Sequence, residues 1–231
     1  KSDSAKFIFE SFKSFLIKNN KINDEWNSLN IISEDAATVG SFDLGIFKTK
    51  DGSNEVFENL KNNKFEVVFL MGQDNIEFIK KNEFIIYIGS HGDKGAEMAD
   101  IILPGAAYTE QNGYFTNLEG KLQKALKASY PPGNAKEDWK IINELAEVIS
   151  GKILFKDREE LESSMLNYIK LFKDQNYTKK NSEVTNFNFL EEHIEIVNND
   201  YFYSNAIARA SKTMLECKKE KIKNKLTGTD G

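Results

Sequence analysis

The chain has 231 residues, of which 40% are hydrophobic and 12% aromatic, with 17 phenylalanines, so it carries the apolar material of a packed core rather than of a disordered tail. Its 36 acidic and 31 basic residues leave a net charge of −5, and no stretch gathers the basic stripe of a nucleic-acid footprint. A single cysteine, Cys217, excludes an internal disulfide and any zinc or iron–sulfur site built on thiolates of this chain alone. No apolar run approaches the roughly 18 residues of a membrane span.

In chain order, the start KSDSAKFIFESF carries acids and lacks the apolar core of a signal peptide. Phe7, Ile8, Phe12, Phe15 and Leu16 recur at helical spacing up to Asn19 and Asn20, which predicts an amphipathic opening helix. WNSLNIISEDAATVGSFDLGI, residues 26–46, reads as a short extended piece, a small-residue helix over 34–39 and a glycine-punctuated loop. From Ser53 the pattern predicts a capped helix with Val56, Phe57 and Leu60 inward, the strand EVVFLMG, a polar helix, the strand EFIIYIG, a helical turn at GAEMA and the strand DIILPG. Each strand ends in a glycine, at Gly72, Gly89 and Gly105. Apolar strands without alternation, joined by short crossovers, predict an α/β fold with a parallel sheet flanked by helices and covered on both faces.

GYFTNLEGKLQKALKAS, residues 113–129, predicts two strands around Asn117, Glu119 and Gly120, a hairpin projecting from the sheet and ended by Pro131-Pro132-Gly133. Asn134 reads as an N-cap with Glu137 at the third helical position, and Trp139, Ile142, Leu145 and Ile149 as a stripe closed by Gly151. Another helix follows Asp157, with Leu161, Met165, Tyr168, Ile169 and Phe172 on one side. These patterns give an α/β domain over 1–172, a polar linker over 173–200 with a short strand or turn at 193–197, and a helical tail over 201–231. The tail is expected to form one amphipathic helix over 206–224, with Cys217 as a small core residue and lysines toward its end.

The loop IGSHGDKGA, residues 88–96, lies where open α/β sheets bind ligands, and its backbone N–H groups suit an anion nest. Its glycines at 89, 92 and 95 fit neither GxxxxGK[ST] nor GxGxxG, so a strand-to-helix turn with Gly92 or Gly95 at positive φ is the expectation. His91 and Asp93 have the chemistry of an acid–base pair, and Glu110 and Glu119 that of a carboxylate pair, but no serine or cysteine nucleophile sits on a strand–turn–helix elbow. Capping, packing and solvated roles are the expectation for all four.

HGDKGAEMADIILPGAAYTEQNGYFTNLEGKLQKALKASYPPGNAKEDWKII, with WNSLNIISEDAATVGSFDLG before it and NNDYFYSNAIARASKTMLECKK after it, resembles the large, 75 kDa iron–sulfur subunit of respiratory complex I. ADIILPGAAYTEQNGYFTNLEGKLQ is similar in outline to molybdopterin oxidoreductases generally. The resemblance implies a degenerate molybdopterin-oxidoreductase domain that keeps the scaffold and lacks the cofactor, with no catalytic, cofactor-binding or metal-binding residue in this chain. Gly89, His91, Gly92, Asp93 and Gly95 then build the strand-end loop, and Thr109, Glu110, Gly113, Asn117, Glu119 and Gly120 build the hairpin and its approach.

The implied partners are a cysteine-rich N-terminal half carrying the iron–sulfur clusters and other peripheral-arm subunits, at the matrix side of the mitochondrial inner membrane. One departure is Lys121, where the family usually has arginine, and a planar bidentate contact would be weakened there. Only Arg158 and Arg209 of the 31 basic residues are arginine. The chain starts at Lys1 rather than Met, and its apolar opening helix and amphipathic last helix lead to the expectation of a separately encoded half that docks on the other. Rival readings are a fragment of an active molybdopterin-dependent oxidoreductase, which a metal-ligand cysteine, selenocysteine or serine would mark, and a stand-alone nucleotide-binding α/β module, which a complete phosphate motif would mark. Neither mark is visible.

Overall fold

Three runs of β-branched and aromatic residues become parallel strands: β1 (Val67–Met71), β2 (Phe84–Gly89) and β3 (Ile101–Pro104), in the order β1-β2-β3. Their register sets Val67 opposite Phe84, Leu70 opposite Tyr87 and Ile86 opposite Ile101. The computed structural model describes residues 3–23, 25–33, 35–46, 54–76, 78–176 and 200–226. The expected α/β fold with a parallel sheet is present. Two compact units make up the chain, one from Lys1–Ile46, Phe115–Gln123 and Glu162–Asn198, the other from Phe47–Tyr114, Lys124–Leu161 and Asn199–Gly231.

The second unit holds the sheet. Leu70, Ile85 and Tyr87 are almost fully buried on one face, against Val68, Ile76, Phe78, Ala96, Met98 and Ala99. The helix α4 (Lys94–Met98) supplies Ala96 and Met98, and Asp93 caps it by accepting from the Lys94 N–H. Lys80 ties the connections together, its Nζ 2.6 Å from Asp100 Oδ1 and 3.1 Å from the Met98 carbonyl, while Asp100 Oδ2 accepts from the Ile85 N–H. That backbone hydrogen bond first, and Lys80 second, hold the Asp100 carboxyl below the usual range.

Several expectations need correction here. No polar helix joins β1 to β2 among the described residues; the segment is irregular because Asp74 is drawn to Tyr87 and Ile76 and Phe78 turn under the sheet. Among the described residues the second face of the sheet is covered only in part: Ile88 is buried, but Val67, Phe69, Met71, Phe84 and Ile101 stay 43–51% exposed. In the helix α3 (Asn54–Lys61), Leu60 is buried but Val56 faces out; Ser53 and the Phe57 side chain lie outside the described residues.

The helix α5 (Asp138–Ser150) starts later than an Asn134 cap requires. Gly133 and Asn134 instead form a turn, closed by the Ala135 N–H on the Pro132 carbonyl with Gly133 at φ +55°, and Lys136 then bridges to the end of β3, its N–H donating to the Pro104 carbonyl and its carbonyl accepting from the Ala106 N–H. That pairing postpones the helix. Its most buried residue is Ile141, and Ile149 is exposed rather than part of the inner stripe. Gly151 closes it as expected, at φ +70° with its N–H on the Glu147 carbonyl.

The tail is two helices, α7 (Ala206–Ala210) and α8 (Lys212–Leu226), not one. Ser211 is extended and its Oγ accepts from the Met214 N–H, restarting the helix as a cap. Cys217 is exposed instead of packed in a core. A 3-10 turn, Tyr201–Tyr203, packs against both helices, and Lys218 of α8 lies 4.1 Å over the Tyr203 ring with its Nζ 2.5 Å from Asp200 Oδ2.

In the first unit, α1 (Asp3–Lys18) ends where expected, with Asn20 at φ +56°; Leu16 is buried, and Phe12 and Phe15 are exposed. The small-residue helix is displaced: α2 spans Thr38–Asp43, since Asp35, Ala36 and Ala37 form a turn closed by the Thr38 N–H on the Asp35 carbonyl. Gly40 falls inside α2, facing Thr116 at a distance where a Cβ would make ordinary contact. Buried Asp43 meets the Thr116 hydroxyl at 3.3 Å and Lys173 Nζ at 2.8 Å. Lys173 belongs to α6 (Arg158–Asn176), the helix expected after Asp157, whose carboxylate accepts from the Glu160 N–H.

The hairpin pairs β4 (Gly113–Thr116) with β5 (Leu122–Ala125). Asn117 Oδ1 accepts from the N–H groups of Glu119 and Lys121, and Gly120 takes φ +81°, the left-handed position this turn requires. The turn or strand expected at 193–197, with His193, lies outside the described residues.

Candidate functional site

Ligands of open α/β sheets bind beyond the carboxyl ends of the strands. Here that position is built around Tyr87 of β2, which is 1% exposed. Its hydroxyl stands 2.5 Å from Asp74 Oδ1, in the loop after β1, and 2.7 Å from the His91 carbonyl, in the loop after β2. One phenolic proton thus serves two acceptors. Burial, then the hydrogen bond to Asp74 and its charge, push the Tyr87 hydroxyl well above the usual phenol range, so it remains a donor.

The glycines of IGSHGDKGA follow from this packing. Neither Gly92 nor Gly95 has positive φ, contrary to expectation; among the strand-end glycines Gly72 does, at +61°. What Gly89 and Gly95 supply is space: a Cβ at Gly89 would run into the Tyr87 ring and hydroxyl, and one at Gly95 into the Gln73 carbonyl oxygen and the same ring. Gly92 is less constrained, with a Cβ there at ordinary contact from Ala96. The motif records close approach, which glycine spacing alone does not distinguish from a need for positive φ.

His91 and Asp93 are engaged separately. His91 Nδ1 lies 3.0 Å from Ser90 Oγ, while Asp93 caps α4 and takes Arg209 of α7, whose Nε donates to Asp93 Oδ2 at 2.5 Å. The same guanidinium places Nη2 3.8 Å from Asp74 Oδ2 and donates from Nη1 to the Tyr203 carbonyl at 3.4 Å. Sequence reasoning missed Arg209. Its signal was compositional: in a chain that uses lysine almost everywhere, an arginine marks a place where one planar fork serves several acceptors.

The donor set does not fit an anionic cofactor. Asp74 and Asp93 put two carboxylates at the ends of adjacent connections, and the arginine that faces them is committed to them. Beside it, a cavity of about 530 Å³ opens between the ends of β2 and β3, with Ser90, His91, Glu110 and Asn134 as its polar lining. Glu110 Oε2 already accepts from the Ala107 N–H. Behind Gly105, Asp138 Oδ1 has no hydrogen-bond partner, and burial first raises the Asp138 carboxyl, which Gln111 only partly offsets. No group of three or more His, Cys, Asp or Glu able to hold a metal ion occurs among the described residues.

The remaining predicted residues hold backbone. The Thr109 carbonyl accepts from the N–H groups of Ala128 and Ser129, Gly113 opens β4, and Asn117 and Gly120 form the hairpin turn. Glu119 is exposed and belongs to the first unit, whereas Glu110 belongs to the second. A stronger polar centre, missed as such, is Glu137: it is buried, with Oε2 2.8 Å from both Arg158 Nη1 and Trp139 Nε1 and Oε1 3.4 Å from Lys127 Nζ. Arg158 Nη2 also donates to the Asn112 carbonyl at 2.5 Å. Burial alone would raise the Glu137 carboxyl, but bonds from Trp139 and Lys127 and the charge of Arg158 hold it below the usual range.

Arg209→Lys is therefore not conservative. One ammonium cannot reach Asp93, Asp74 and the Tyr203 carbonyl with the same geometry, so the variant should lose about 1–2 kcal/mol of local stability. Hydrogen exchange over 200–226 measures this, and the amides there should open about 5- to 30-fold more often, while those of β2 stay unchanged.

A three-stranded parallel sheet with glycines at its strand ends, with helices and a following hairpin, defines an α/β domain. The chain belongs to the molybdopterin oxidoreductase family, whose sequence model matches residues 1–148. It is 39% identical to the NADH-ubiquinone oxidoreductase 75 kDa subunit of Reclinomonas americana, over 83% of this chain and 28% of the relative. It is 32% identical to the mitochondrial NADH-ubiquinone oxidoreductase 78 kDa subunit of Candida albicans, over 96% of this chain and 33% of the relative. Against the mitochondrial 78 kDa counterpart of Neurospora crassa it is 31% identical, over 92% of this chain and 30% of the relative. The chain thus spans about a third of the length of these relatives, and the resemblance read from its sequence is borne out.

Proposed function

We propose that this chain is a non-catalytic scaffold portion of the large iron–sulfur subunit of respiratory complex I, supporting the NADH-oxidising peripheral arm at the matrix side of the inner membrane. The observation that carries the reading is that the strand-end loops, where a family member would hold a ligand, are saturated by Tyr87, Asp74, Asp93 and Arg209 of the chain itself. The names of the relatives supply the assembly. No helix among the described residues is long and apolar enough to cross a membrane.

The clusters then belong to a cysteine-rich half that this chain packs against, encoded separately and docked in part on the exposed Phe12 and Phe15 of α1. The division into a domain over 1–172, a linker over 173–200 and a tail over 201–231 is part of the same proposal. A mass-spectrometric inventory of the native assembly, with intact masses of its denatured chains, is the test. The expected result is one cysteine-rich iron–sulfur polypeptide per copy of this chain. An assembly without such a polypeptide ends the functional reading; a single species that includes the cysteine-rich region ends the split.

A further inference from the structure

The parallel sheet has a second apolar face, and its register defines it. Val67, Phe69 and Met71 of β1 lie level with Phe84, Ile86 and Ile88 of β2, and Ile86 lies level with Ile101 of β3. Ile88, at the carboxyl end, is buried; Val67, Phe69, Met71, Phe84 and Ile101 are among the exposed large apolar residues. No charged residue falls on these positions. Parallel sheets are found almost only with both faces covered, because water on an all-apolar strand face forfeits the burial that holds the strands together. β1 is also an edge strand of the sheet.

We infer that this face is the docking surface for one amphipathic helix of the iron–sulfur polypeptide, an inference that rests on the function proposed above. The open area runs the five residues of β1, which is roughly 16 Å, and crosses three strands, about 10 Å. That is the footprint of a single helix about 10 Å wide and two to three turns long. The occupant has room to exist: the region matched by this chain is only 28–33% of each relative, so about two thirds or more of their length lies elsewhere. A helix suits the face better than a strand, since it covers side chains rather than backbone edges. Apolar residues at i, i+3, i+4 and i+7 on that helix would meet Phe69, Ile86 and Ile101.

Hydroxyl-radical footprinting of the native assembly and of the isolated full chain reads this directly. Phe69, Met71 and Phe84 should oxidise about tenfold more slowly in the assembly. In the assembly containing Phe69→p-benzoylphenylalanine, ultraviolet cross-linking should join position 69 to a segment of helical apolar spacing in the iron–sulfur polypeptide. Oxidation at the same rate in both samples overturns the proposal, as does slow oxidation in the isolated monomer, which would mean that the chain covers its own face. A cross-link to a second copy, or back into residues 1–231, overturns it too. An assembly without an iron–sulfur polypeptide removes the functional reading itself; one that contains it and leaves Phe69 open removes only this surface.

Discussion

Gly95→Val should destabilise the sheet-bearing unit by about 3 kcal/mol, at the upper end of overpacking costs. The reason is not backbone strain. A Cβ at Gly95 collides with the Gln73 carbonyl oxygen, which is main chain and cannot rotate away, and presses on Tyr87 at 3.3 Å. Relief requires moving the loop after β1, where the Gly95 N–H is bonded to the Asp74 carbonyl. Gly92→Ala meets only Ala96 at 4.0 Å, so its cost should stay within about 0.5 kcal/mol. Urea unfolding of both variants, followed by circular dichroism, is the check. Equal midpoints for the two would contradict the assignment of Gly95 to close packing.

Glu137→Ala should cost about 3 kcal/mol, because it strips the half-buried Arg158 of its buried carboxylate partner and leaves the Trp139 N–H without an acceptor. Arg158→Lys should cost less, about 1–2 kcal/mol, since a single ammonium cannot bridge Glu137 and the Asn112 carbonyl as the fork does. The pH dependence has a definite sign. The folded-state carboxyl of Glu137 is held below its ordinary value of 4.5, so the stability it adds is complete above that value and is lost as pH falls through the folded one. Asp138 acts oppositely: burial raises it, so protonation on acidification stabilises the folded state. Glu137→Gln should therefore flatten the loss of stability below about pH 4.5, and Asp138→Asn should steepen it, both read from melting temperature against pH.

The parallel strands were legible because unbroken apolar runs ending in glycine admit few other arrangements. The hairpin was legible from Asn117 and Gly120, whose turn chemistry is local. Helix starts were not. Asn134 has the composition of a cap, yet Lys136 is drawn into pairing beside β3, a contact set by residues far away in sequence. Ser211 likewise divides the tail because its hydroxyl satisfies a backbone donor, which periodicity does not report. At the site, the glycines were legible as important but for the wrong reason, since the bulk they avoid belongs to Tyr87 and Gln73. Arg209 was invisible to motif reading, being separated from Asp93 by more than a hundred residues.

We propose that this chain keeps the scaffold of its family without a bound molybdenum cofactor. Elemental analysis of the native assembly, by mass spectrometry after gel filtration and normalised to the amount of this chain, addresses that most directly. Iron should be present, carried by the partner polypeptide, with molybdenum and tungsten far below one atom per chain. About one molybdenum per chain, retained through gel filtration, would contradict it.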